Sequence, residues 1–145
     1  MKKPNIRCRP KGEKKPHAAF ENNATQSPLW AFRYVDINRG GFLNSCCWSN
    51  LEADDIIDLI QHLKDFETMT WADIERGGSH FIEVRKIEKE AQERLVTLRQ
   101  DDIDHLFSLR VSGKGRVWGI RNGGTLRLLW WDPQHEVCPS LLKHT

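Results

Sequence analysis

The chain lacks most of the features that settle a protein's class at first sight. It has no long apolar run: no unbroken stretch exceeds four residues, as at 128–131, against the roughly 20 residues a bilayer crossing needs. Mean hydropathy is −0.60, so a membrane protein is excluded at the level of composition. No apolar segment follows Met1-Lys2-Lys3-Pro4, so the sequence predicts no secretory signal. Cysteine is scarce, at positions 8, 46, 47 and 138, and forms no C-x-x-C pair. Adjacent Cys46-Cys47 makes a poor disulfide framework, which predicts reduced thiols in a cytoplasmic protein. The same spacing fits no zinc finger or ribbon, so His62, His80, His135 and these cysteines predict no metal site. Aromatic residues are not lacking. Six Trp and six Phe can bury a real core, which excludes a disordered chain, and 145 residues are one domain's worth.

The net charge of +2 hides a segregated layout. Residues 1–28 carry seven Lys/Arg against two acidic residues, 29–104 carry nine against sixteen, and 105–145 carry six against two. The first block has almost nothing to bury before Phe20 and reads as a disordered basic arm, either attracting phosphate or simply solubilising the chain. The folded domain is expected over 29–145.

Trp30 to Ile37 is dense in aromatic and β-branched residues and predicts a strand. Ser49-Asn50-Leu51-Glu52 matches a capping box, and Leu51, Ile56, Ile60 and Leu63 follow at helical spacing, predicting a helix over 51–66. Thr70-Trp71-Ala72-Asp73 repeats the cap for a short helix that Gly77-Gly78 ends. Residues 80–87 predict a strand and 88–99 a helix. A three-strand meander closes the chain at 105–112, 116–121 and 125–131, with Asn122-Gly123-Gly124 as a strong hairpin signal. The expected fold is α+β, in the order β-α-α-β-α-β-β-β, with an antiparallel sheet and helices packed on one face.

That meander carries Arg110, Lys114, Arg116, Arg121 and Arg127 on, or at the rim of, one small sheet. Five cations this close repel unless an anion joins them, and a polyphosphate gains charge-assisted hydrogen bonds that favour arginine. Ordinary solvent-facing arginines, some paired with the acidic middle block, are the alternative. Asp132-Pro133-Gln134-His135 follows the last strand, which Pro133 stops. A histidine is the usual proton carrier near neutral pH, and a nearby carboxylate can fix its tautomer; an Asp capping a turn before a surface His explains the pattern equally well. Trp30, Trp71 and Trp130 fall at core positions, leaving Trp48, Trp118 and Trp131 as candidates for exposed base stacking. Asp101, Asp102 and Asp104 lack the second ligand cluster a magnesium nuclease needs.

An N-terminal strand, two helices and an arginine-bearing antiparallel meander resemble the RelE/ParE-type toxin superfamily. The residue pattern lies in Lys114-Gly115-Arg116-Val117-Trp118-Gly119-Ile120-Arg121 and in Leu126-Arg127-Leu128-Leu129-Trp130-Trp131-Asp132-Pro133-Gln134-His135. The helix at 88–100 is an addition to that plan. The resemblance implies metal-free RNA cleavage, without a cofactor, by attack of the ribose 2′-OH. His135 would serve as acid or base, Asp132 would orient it, and Arg110, Arg116 and Arg121 would hold phosphate, with Lys114 and Arg127 beside them. His80 or Arg85 would face the same pocket. The implied partners are RNA, including ribosome-associated messenger RNA, and a cognate antitoxin protein. A non-catalytic regulator that grips nucleic acid or an acidic protein with the same face is the competing expectation.

Overall fold

The structure, a computed structural model, describes residues 23–37, 43, 46 and 48–139. The basic arm up to residue 22, Cys8, Cys47 and the chain after residue 139 lie outside the described residues. Residues 23–28, expected to belong to the arm, are part of the fold: the carbonyls of Ala24 and Gln26 accept from the amides of Ala72 (3.0 Å) and Trp71 (2.9 Å).

The element order is the expected one. Strand β1 spans Leu29–Ala31, helix α1 Ala53–Phe66, helix α2 Trp71–Arg76, strand β2 His80–Glu83 and helix α3 Lys89–Thr97. The meander is β3 His105–Arg110, β4 Arg116–Asn122 and β5 Thr125–Asp132. Two strands are shorter than their composition suggests. After Ala31 the chain turns, with the Val35 amide bonding the Phe32 carbonyl at 3.1 Å. After Glu83 it enters a 3-10 turn over Val84–Lys86. No described helix is long and apolar enough to cross a membrane.

The caps obey the expected chemistry at α2, where the Thr70 hydroxyl accepts from the Asp73 amide and Asp73 reaches back to the Thr70 amide. At α1 the capping box is Glu52 with Asp55 instead of one starting at Ser49, because Trp48–Asn50 form their own 3-10 turn. The buried side of α1 is Leu59 and Leu63, while Ile56, Ile57 and Ile60 are exposed. The apolar spread in the sequence is wider than the stripe the core uses.

The five strands form one sheet in the order β1-β5-β4-β3-β2. Its meander is antiparallel, but β1 joins β5 in parallel, pairing Leu29–Ala31 with Thr125–Arg127. The sheet is therefore mixed, not purely antiparallel. A second correction concerns the helices, which cover both faces. Helices α1 and α2 pack Leu59, Leu63, Trp71 and Ile74 against Phe107, Leu109, Val117, Leu126 and Leu128. Helix α3 packs Ala91 and Leu95 against Leu106, Trp118, Ile120, Leu129 and Trp130 on the other face. The central strands are apolar on both sides, and a sheet of that kind needs cover on both. An ion pair ties the α3 layer down: Arg94 donates twice to Asp36 at 2.7 Å, and the Trp130 indole donates to the same carboxylate at 3.0 Å.

The ladder between β4 and β5 is interrupted once. Gly119 pairs with Leu128 but Trp118 pairs with Trp130, so β5 carries an extra residue, Leu129, at a bulge. Its carbonyl accepts from the Asp36 amide and the Trp48 indole, both at 2.9 Å. A Cβ at Gly119 would lie 2.5 Å from the Arg127 carbonyl oxygen, so the strands approach this closely only because residue 119 has no side chain.

Candidate nucleic-acid interface

Side chains alternate along a strand, and the register lines up two rows on the α3 side of the sheet. Arg110 on β3 faces Arg116 on β4, which faces Asp132 on β5. One pair inward, His80 on β2 aligns with Ser108, Trp118 and Trp130. His135 comes after β5, in the next turn. Of the residues singled out in the sequence, Arg110, Arg116, Asp132, His135 and His80 are thus brought to one end of one face.

Arg110 is exposed and makes no ion pair among the described residues. Its guanidinium runs over Gly78, where a Cβ would meet Nη1 at 3.1 Å and Cδ at 3.3 Å. With φ of +109°, position 78 favours glycine on backbone grounds as well. Arg116 is half-buried. Its Nη1 donates to the carbonyls of Ser112 (3.0 Å), Gly113 (3.3 Å) and Gly115 (3.0 Å), clipping the β3–β4 turn. Burial first, and then the neighbouring Arg110 charge, pull its pKa down, with Asp132 opposing; a guanidinium starts so high that it stays charged at neutral pH. Lys114 stands exposed at the tip of the same turn.

Asp132 is fully buried and does not bond the imidazole as expected. Its carboxylate accepts from the Trp118 indole (3.0 Å), the Cys46 thiol (3.4 Å) and the amides of Glu136 (2.8 Å) and Val137 (2.9 Å). The two amides lie just beyond His135, so Asp132 anchors the backbone of the loop that carries it. Burial, with the Asp132 charge second, pushes the Cys46 thiol well above its ordinary range. It remains a neutral donor. His135 sits in the left-handed region at φ +59°, tolerable for histidine in a tightly held turn. Burial holds its imidazole below the usual histidine range; Arg116, His80 and Arg110 add to this and Asp132 opposes it. A neutral imidazole beside two guanidiniums can accept a proton at physiological pH.

The remaining expected residues lie elsewhere. Arg121 is on the α1/α2 face, 4% exposed, stacked 4.1 Å over the Trp71 ring and flanked by Phe81 and Phe107. It bonds Glu75 at 3.3 Å and the Gly123 carbonyl at 3.2 Å. It is a core arginine and does not join the His135 end, because odd-numbered positions of β4 point to the other layer. Arg127 shares the face of Arg116 but lies at the opposite end of β5, over the Tyr34 ring. Arg85 stands on the 3-10 turn after β2 and is ion-paired with Glu83. Trp118 is fully buried, so it offers no stacking surface; Trp48 and Trp131 are half-buried. A cleft lined by Asp55, Asp58, His62, Ser112 and Trp131 opens on the α1 side, where two carboxylates disfavour phosphate.

Sequence reading missed Cys46 and Gly78. Cys46 meets Asp132 across 86 positions, and no local pattern could signal that contact. Gly78 carries a signal as the second glycine after a short helix, but that signal speaks of helix termination and not of Arg110. Among known proteins, no family model, no curated protein and no solved structure matches this chain.

Proposed function

We propose that this protein is a small RNA-binding endoribonuclease of the toxin–antitoxin kind, which cleaves without a metal at the strand-end cluster of Arg110, Arg116 and His135. One observation carries the reading: two arginines stand opposite each other on neighbouring strands, close enough that the Arg110 charge acts on Arg116, beside a half-buried imidazole. Like charges directly opposite in a sheet are destabilising, and a phosphate between them reverses the sign of the interaction. His135 takes the proton of the ribose 2′-OH as that oxygen attacks the adjacent phosphorus. Arg110 and Arg116 hold the negative charge that builds on the phosphorane. Lys114 extends the cationic surface toward the flanking backbone, a contribution that salt weakens. An acidic segment of a partner antitoxin laid over this face would silence it.

The test is cleavage of end-labelled single-stranded RNA with EDTA present, and growth on induction in a bacterial host. Wild-type protein is expected to leave ends carrying a 2′,3′-cyclic phosphate and to arrest growth with loss of messenger RNA. His135→Asn, chosen because asparagine accepts the left-handed conformation, should cleave about 10²–10⁴-fold more slowly. Arg110→Ala, at an exposed position, should cost on the order of 10²-fold in rate. Intact RNA with wild-type protein, or undiminished cleavage by His135→Asn, overturns the proposal. Retarded but uncleaved RNA would assign the face to a non-catalytic regulator instead.

A further inference from the structure

We infer that His80 is the second proton carrier of this site, the acid that protonates the leaving 5′-oxygen; the inference rests on the proposed ribonuclease function. The placement of β2 carries it. In strand order, the sheet end presents an imidazole after β5, a guanidinium on β4, a guanidinium on β3 and an imidazole on β2. His80 pairs with Ser108, so Arg110, two residues further along β3, is its diagonal neighbour on the same face, at about 7–8 Å between backbones.

Residues 78–80 are stitched to that arginine. The missing side chain at Gly78 admits the Arg110 guanidinium, the Ser79 hydroxyl accepts from the Arg110 amide at 2.9 Å, and the Gly78 carbonyl lies 3.1 Å from His80 Nδ1. One glycine therefore seats a phosphate-binding group and an imidazole side by side. A carbonyl can only accept, so Nδ1 carries a hydrogen and Nε2 is the atom that exchanges protons. The ring gives up its Nε2 proton without losing its anchor, as an acid in a repeated cycle must.

Atoms and electrons balance across the step. The ribose 2′-oxygen forms a bond to phosphorus, and its proton passes to His135. The bond from phosphorus to the 5′-oxygen breaks with its electron pair on oxygen, and that oxygen takes the proton from His80 Nε2. The products are a 2′,3′-cyclic phosphate and a 5′-hydroxyl. Exchange with water returns a proton to His80 and removes one from His135.

The experiment compares an RNA of ordinary linkage with the same RNA carrying sulfur in place of the bridging 5′-oxygen. A thiolate leaves without protonation, so it makes the acid dispensable. His80→Ala and His80→Gln are expected to cut the oxygen-linked RNA about 10²–10⁴-fold more slowly, yet to cut the sulfur-linked RNA within a few fold of wild type. His135→Asn should be slow on both. His80 is exposed, and thermal melts matching wild type will accompany each variant. Equal slowing of both RNAs in both His80 variants, or slowing of neither, overturns the inference. Wild-type protein that cleaves neither RNA instead overturns the function on which it rests.

Discussion

Arg116 and Arg121 stand on the same strand, five positions apart, and live in opposite worlds. Arg121 is enclosed by Trp71, Phe81 and Phe107 and bonded to Glu75. Arg116 lies beside a second arginine, with one nitrogen engaged by turn carbonyls. Both are partly desolvated, and in both burial is the first cause of a lowered pKa. Company separates them. A guanidinium boxed by rings and a carboxylate has its charge balanced where it is, whereas one placed opposite another cation has a like charge as its cross-strand neighbour. A basic strand in a sequence is thus two populations, and odd or even position sorts them.

The largest effect should come from attacking the satisfied member. Arg121→Ala removes a stacked side chain from the core and leaves a hole against Trp71. It should cost about 3 kcal/mol, seen as a fall of roughly 10 °C in melting temperature. Under the proposed function, the cleavage rate of the protein that stays folded should hold within a few fold. If the rate collapses while the melt is unchanged, the two arginines have been assigned the wrong way round.

Asp132→Asn should act on the other region more gently. An amide nitrogen cannot accept, so the two donors on the replaced oxygen lose their partner; burying a neutral group in place of a charge offsets part of that, for about 1–3 kcal/mol net. Since Asp132 raises the pKa of His135 against the surrounding cations, neutralising it should move the imidazole titration further down, which NMR can follow. An upward move contradicts the placement.

The smallest effect concerns acid. The unfolded chain protonates His135 near pH 6.5, while the folded imidazole holds its proton less well. Its contribution to stability is therefore complete above that pH and is lost as pH falls through the lower, folded value. From about pH 7.5 to about pH 5.5, a range that brackets the ordinary histidine value, the urea midpoint should drop further for wild type than for His135→Asn. Parallel drops would show that the imidazole is not held neutral by the fold.

The sequence made legible whatever is local. The Thr70–Asp73 box, the Asn122-Gly123-Gly124 hairpin and the alternation in β3 and β4 each declare themselves within a few residues. What depended on distant pairing did not. The parallel seat of β1 beside β5 is fixed by a strand nearly a hundred positions away. The two-sided cover could have been suspected from strands apolar at both parities, as in Leu126 to Trp131. In the candidate site, the meander alone points to five cations beside His135, but only Arg110 and Arg116 stay close enough to act on its imidazole. Arg121 is near the others in sequence, but its odd position on β4 turns it to the other layer. His80 reached the cluster through the hydrogen bonds of β2, and Cys46 through a loop that no pattern describes.

The extra residue at Leu129 decides which layer owns the end of β5. Were all eight residues of the strand paired without interruption, Trp130 would point toward α1 and Asp132 would go with it, leaving the Trp118 indole and the Cys46 thiol without their acceptor. The loop that carries His135 would then lose the anchor that Asp132 gives it at Glu136 and Val137. Straightening that single kink would change which layer holds the buried carboxylate without changing one residue of the sheet end.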